Sequence, residues 1–234
     1  MREETVRQLL ELTQAFYNAQ AASFAQSRTR PQPGFFRLLD HLPDPCHSLL
    51  DVGCGDGRFG RFLQEHAAVE WYVGVDFSAE LLHTARAATA GDFFQRELST
   101  PGCLAGLGEF DLVVCLAALH HIPARANRLR LLGEIKQHVR PGGRVFLSTW
   151  QFMDSERQRR KITPWSKVNI PQDDLEPDDY LLTWNRDGSA LRYVCFIDEK
   201  SLTELTDEAG LHVLTCFRAD GKEGNLGLYM VLGV

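Results

Sequence analysis

Between residues 47 and 150 the chain alternates short apolar runs with stretches that read as helices. The apolar runs fall at 47–52, 71–76, 92–96, 110–116 and 144–150, lengths suited to buried strands. The helical stretches fall at 58–66, 79–88 and 125–139. Strands alternating with helices predict a parallel sheet covered on both faces. Pro141, Gly142 and Gly143 supply the stop after the helix ending near Val139.

The ends follow other rhythms. Residues 4–26 predict an amphipathic helix, with Val6, Leu9, Leu10, Leu12, Phe16 and Tyr17 on one stripe. Pro31 and Pro33 break it, and a second short helix follows at 35–42. Residues 151–190 carry a basic cluster (Arg157, Arg159, Arg160, Lys161), then an acidic one (Asp173, Asp174, Glu176, Asp178, Asp179), punctuated by Pro164, Pro171 and Pro177. This reads as a mostly irregular insertion that forms part of a lid. An extended run at 191–197, a helix at 199–209 and strands at 211–218 and 226–234 complete the chain. Asp198 suits the helix N-cap and Gly210 the position after its end. The last two strands can pair across the turn at 220–224. The division is a helical cap (1–46), a core (47–150), a lid (151–190) and C-terminal elements completing the same sheet (191–234), all in one domain.

At 234 residues the chain suffices for one sizeable core. The net charge of −6 argues against strong sequence-independent nucleic-acid binding, which needs many phosphate contacts. No apolar run approaches the ~20 residues of a membrane span, and the opening MREETVRQLLELTQAF lacks an apolar block, so a cytoplasmic location is expected. The six cysteines form no Cys-x-x-Cys pair; they read as small buried hydrophobes, and no metal site is expected.

The strongest chemical signal is LLDVGCGDGRFG, residues 49–60. An apolar strand runs directly into Gly53-x-Gly55-x-Gly57 and then a helix, so the backbone can turn sharply and approach a ligand. Asp76 ends the next strand about twenty residues later, a place where a carboxylate suits a ribose diol. A dinucleotide fold spaces its glycines as G-x-G-x-x-G and holds a pyrophosphate. Here Asp51 and Asp56 would repel one, whereas they suit the amino group and sulfonium of S-adenosylmethionine (SAM).

With DVGCGDG, VGVDFS, FDLVVCLAALHHI and VRPGGRVFLSTW in succession, the chain resembles the class I SAM-dependent methyltransferases over roughly residues 47–150. The resemblance implies an α/β, Rossmann-like, doubly wound and mostly parallel seven-stranded sheet with an N-terminal helical cap and an inserted lid. It implies that Asp51, Gly53, Cys54 and Gly55 lie along the methionine part of SAM, Asp76 on the ribose hydroxyls and Phe77 near the adenine. Glu97 and Leu98 take the adenine position after the third strand, where the family usually has Asp. Cys115 and Leu116 would line the cofactor at the end of the fourth strand. S-adenosylhomocysteine (SAH) would be the product.

Residues 17–33, ALHHI at 118–122, ITPW at 162–165 and the ending LRYVCFIDEKSLTELTDEAG…GNLGLYMVL are similar to the Trm9-like tRNA methyltransferases, including the methyltransferase domain of the AlkB-homologue-8 fusion. That resemblance implies methyl esterification of a carboxymethyl group on a tRNA wobble uridine, with Arg28 and His120 near the acceptor, tRNA as substrate and a small zinc-binding activator protein as partner. An overall acidic chain departs from the more basic surface of those enzymes. An ionised carboxylate needs no strong base, so Arg28 would hold it bidentately and His120 would orient it. Trp165 and Trp184 could stack a base or anchor a lid. Two other functions compete: methylation of a small metabolite such as a quinone precursor, and SAM binding without transfer.

Overall fold

The computed structural model describes residues 1–26, 30–184 and 190–234. Its strands are β1 (Ser48–Val52), β2 (Trp71–Asp76), β3 (Asp92–Gln95), β4 (Phe110–Leu116), β5 (Val139–Trp150), β6 (Ile162–Thr163), β7 (Asp179–Thr183), β8 (Leu191–Cys195), β9 (His212–Ala219) and β10 (Gly227–Gly233). Its helices are α1 (Glu3–Gln26), α2 (Pro33–Leu39), α3 (Arg58–His66), α4 (Ala79–Ala88), α5 (Arg125–Gln137), α6 (Glu156–Arg159) and α7 (Glu199–Glu208). None of the described helices is long and apolar enough to cross a membrane.

Seven strands form one sheet in the order β3-β2-β1-β4-β5-β10-β9. The first five run parallel, and β10 is antiparallel to both β5 and β9. Every residue of β1 is buried, as a strand covered on both faces requires. Successive side chains enter opposite layers. Leu50, Val113 and Cys115 join Leu9, Leu131 and Leu202 in one core. Leu49, Leu112 and Val114 join Phe59, Leu63, Leu82 and Tyr229 in the other.

Local signals explain the helix ends near the site. The Ser78 hydroxyl accepts the Leu81 N–H at the start of α4, and Asp198 accepts the Ser201 N–H at the start of α7. Gly210 follows α7 at φ 72°. Strands β9 and β10 form the expected hairpin.

The insertion departs from expectation. Instead of a mostly irregular segment, β6, β7 and β8 form a separate antiparallel sheet. The run at 191–197 therefore does not complete the main sheet. Its pairing is driven by a small core of its own, in which Phe152, Leu182 and Val194 pack with Trp150, Ile162, Tyr180 and Phe196. The acidic cluster makes specific contacts. Asp174 accepts the Arg2 N–H at 2.9 Å, Glu176 pairs with buried Arg128 at 2.6 Å, and Asp179 accepts the Tyr193 hydroxyl at 2.7 Å. These contacts fasten the insertion to α1 and α5, as proline and charge patterns alone could not reveal.

Candidate active site

The C-terminal ends of β1, β2 and β4 open into a cavity of about 300 Å³, roofed by Leu10, Thr13, Gln14 and Tyr17 of α1. This is the edge where open α/β sheets bind ligands. The glycine loop is tied to β2: the Gly53 and Cys54 N–H groups donate to the Val75 carbonyl at 2.8 and 3.0 Å. Gly53 sits at φ 80°, and a Cβ there would fall 2.4 Å from the Ala118 Cβ, so only glycine lets the turn after β4 close over the loop.

Asp76 organises the next step. One carboxylate oxygen accepts the Gly55 N–H and the other the Ser78 N–H, each at 2.9 Å. Each oxygen keeps a lone pair for a further donor. Burial pushes its pKa up to about 6, with the Ser78 and Gly55 N–H groups pulling the other way. Burial pushes Asp51 up to about 7; the Tyr72 hydroxyl, 3.2 Å away, opposes this, while Asp76 and Asp56 add to it. Glu97 is oriented by the Gln14 amide at 2.6 Å and the Ser99 hydroxyl at 2.9 Å. Buried carboxylates that resist ionisation favour a cationic ligand. A Cβ on Gly55 would meet nothing nearer than Leu81 at 4.0 Å, which leaves the backbone open to a ligand's approach. These features fit SAM.

The far end of the cavity has the opposite character. His120 and His121 occupy the single helical turn at Leu119–His121, directly after β4. His120 is buried and lines the cavity. The Nδ1 of His121 lies 3.0 Å from the Tyr193 carbonyl, which only accepts, so Nδ1 carries a proton. In the neutral ring Nε2 then accepts the Tyr17 hydroxyl at 2.7 Å. Tyr17 in turn accepts Arg192 Nη1 at 3.3 Å. Arg192, Trp150 and Trp184 complete this wall.

Of the residues expected to hold the cofactor, Asp51, Gly53, Cys54, Gly55, Asp76, Phe77, Glu97, Leu98 and Leu116 all line the cavity. Cys115 does not: it packs in the core with Leu50 and Val113, because strand alternation turns it away from the face Leu116 presents. Arg28 lies outside the described residues. Trp184 lines the cavity, whereas Trp165 packs against the main core. Arg192 was not anticipated from the sequence. Its signal was a charge inside the apolar run LRYVC, a poor place for an arginine without a partner.

A family model described as a methyltransferase domain matches residues 9–215. The chain belongs to this methyltransferase family. The methyltransferase is 31% identical over 204 residues to ECU09_1500 of Encephalitozoon cuniculi (strain GB-M1), named as a methyltransferase, covering 85% of this chain and 86% of that relative. It is 28% identical over 159 residues to the tRNA (carboxymethyluridine(34)-5-O)-methyltransferase ALKBH8 of Macaca fascicularis, covering 68% of this chain and 23% of that protein. It is 35% identical over 152 residues to the trans-aconitate 2-methyltransferase of Azoarcus sp. (strain BH72), covering 63% and 56%.

Among solved structures, a SAM-dependent methyltransferase from Clostridium acetobutylicum ATCC 824 aligns with TM-score 0.67 at 15% identity, over 93% of this chain and 98% of that one. The methyltransferase solved with the Haloferax volcanii Trm112 activator aligns with TM-score 0.64 at 16% identity, over 94% and 96%. The Rossmann-like fold is thus that of the SAM-dependent enzymes, and SAM is the cofactor.

Proposed function

We propose that this methyltransferase esterifies a carboxylate, with the carboxymethyl group of a tRNA wobble uridine as the favoured acceptor. The observation carrying this reading is a cavity that holds both buried carboxylates and a caged arginine. Asp51, Asp76 and Glu97 line it around the glycine loop, and Tyr17, His120, His121 and Arg192 line it beside α1 and the turn after β4; Arg58 and Asp220 line it as well. A cation suits the first group and an anion the arginine of the second. The names of two relatives point the same way, since carboxymethyluridine and aconitate both carry carboxyl groups.

SAM supplies a methyl group on a cationic sulfonium; as the O–CH₃ bond forms and the S–CH₃ bond breaks, the electron pair stays on sulfur and no proton is released. The protein's task is then alignment of oxygen and methyl. Asp76 and Glu97 would hold the nucleoside, and Asp51 with the Gly53–Gly55 backbone the amino-acid part. His120 and Arg28 would face the acceptor. Transfer to a small acid is a second reading, favoured by the net charge of −6 and the aconitate relative. A Trm112-type activator is a proposed partner: edge strand β3 exposes Phe94, and its neighbour β2 exposes Trp71.

The experiment is incubation of purified protein with methyl-labelled SAM and separate pools of total tRNA and small carboxylic acids, with and without a Trm112-type activator. Alkali-labile label in either pool supports ester formation and says which acceptor class is used. Alkali-stable label, or none in either pool, refutes the reading. For whichever acceptor is methylated, Arg28→Ala should slow turnover far more than it weakens SAM binding, and His120→Ala should act more mildly. A rate that falls below about pH 6.5 and depends chiefly on His120 would instead indicate a hydroxyl acceptor that must lose a proton.

A further inference from the structure

We infer that Arg192 is, among the described residues, an acceptor-binding cation of this site, gripping the carboxylate that receives the methyl group beside the Arg28 proposed above. The inference rests on the carboxylate reading above and names the residue that selects for it. Arg192 is only 4% exposed, yet it lines the cavity. Its guanidinium lies over three aromatic rings, 4.8 Å from the centre of Trp150, 5.1 Å from Phe16 and 5.2 Å from Trp184. Among the described residues its hydrogen-bond partner is the Tyr17 hydroxyl, and its Nε is buried without an acceptor.

Arg128 is equally buried and also leaves Nε unpaired, but Glu176 neutralises it at 2.6 Å. Arg192 has no such carboxylate among the described residues, and it faces a cavity. A buried charge is retained at a cost unless a counter-charge meets it. Aromatic faces offset part of that cost by cation–π attraction. The rings meet the cation without accepting its N–H groups in plane, so a hydrogen-bonding anion remains the partner that its Nη side lacks. A carboxylate presents two oxygens that match that fork. The Lys161 ammonium, 5.2 Å from the Trp184 ring, adds to the positive field of this corner.

The arrangement also reaches the rest of the wall. Arg192 donates to Tyr17, Tyr17 donates to His121, and His121 donates to the Tyr193 carbonyl. Arg192 as donor and His121 Nε2 as acceptor together orient the Tyr17 hydroxyl, whose ring lies edge-on to Phe77 at 5.9 Å, at the cofactor end. Arg192 thereby links the acceptor wall to the cofactor wall.

The test uses the SAH-loaded protein with two probes, carboxymethyluridine and its neutral amide. The Arg192 Nε–H resonance, identified by its loss in Arg192→Lys, should shift with the acid and not with the amide. In turnover assays Arg192→Gln should raise the acceptor KM about 10- to 100-fold, the range for losing a charge-assisted hydrogen bond. Arg192→Lys should recover part of that, and SAH affinity should stay within about twofold because the cofactor end is untouched. No shift with the acid, an equal shift with the amide, or an unchanged KM in a folded Arg192→Gln protein overturns the inference. If the methyl product is alkali-labile in these same assays, the carboxylate reading survives that failure. An alkali-stable product sinks both.

Discussion

Replacing Asp76 by Asn should weaken SAM binding and, at neutral pH, stabilise the protein without its cofactor. The two effects come from one geometry. Asp76 is 6% exposed, and each of its oxygens accepts one backbone N–H. Burial nevertheless raises its pKa from 3.8 to about 6. A carboxyl whose folded pKa lies above its unfolded value weighs against folding once ionised. That penalty is absent below pH 3.8 and complete above about pH 6. The gap corresponds to about 3 kcal/mol. Asn removes the charge but offers only one acceptor to the two N–H groups, which returns about 1–3 kcal/mol. The net expectation is a gain of about 0–2 kcal/mol near pH 7.5, reversing near pH 4. SAM binding should fall by about 10- to 150-fold, the worth of hydrogen bonds to a charged group. Urea unfolding at the two pH values and calorimetric titration with SAM measure both. A variant less stable than the parent at pH 7.5, or one with unchanged SAM affinity, refutes the reasoning.

Two further outcomes follow from the same region. Gly60→Ala places a Cβ 2.2 Å from the Tyr72 ring, where α3 crosses β2, and Tyr72 in turn holds Asp51; unfolding measurements should show a loss of about 1–3 kcal/mol from overpacking, and an unaffected protein would show that this crossing yields freely. SAM affinity should fall as pH drops below about 7, because the cationic ligand needs Asp51 ionised while burial holds its pKa at about 7. Binding near that pH should release protons, read by calorimetry in buffers of different ionisation heat, and proton uptake would contradict the assignment.

The order of strands and helices from 47 to 150, and the glycine loop with its two carboxylates, were legible in the chain alone. That legibility has a local cause. The central strands β1, β2 and β4 are largely buried on both faces and so are written as short apolar runs, while edge strand β3 is mostly exposed; the loop needs small residues at fixed spacing beside an acidic one. Asp51, Gly53, Gly55 and Asp76 are neighbours in space because they end adjacent parallel strands, which the alternating pattern already implies. What depended on long-range pairing was not legible. The insertion carries too few apolar residues in a row to declare itself, yet β7 finds β8 across residues 184–190 and makes a second sheet. Cys115 and Leu116 look equivalent in sequence, and the phase of β4 in the main sheet sends one to the core and the other to the cavity. Arg192 is the clearest case. Its partners Phe16, Tyr17, Trp150 and Trp184 come from α1, β5 and the end of β7. Only the docking of α1 onto β8 turns an isolated charge in an apolar strand into a caged cation facing the cavity, because a charge in an apolar run acquires its meaning from the partners that tertiary packing brings to it.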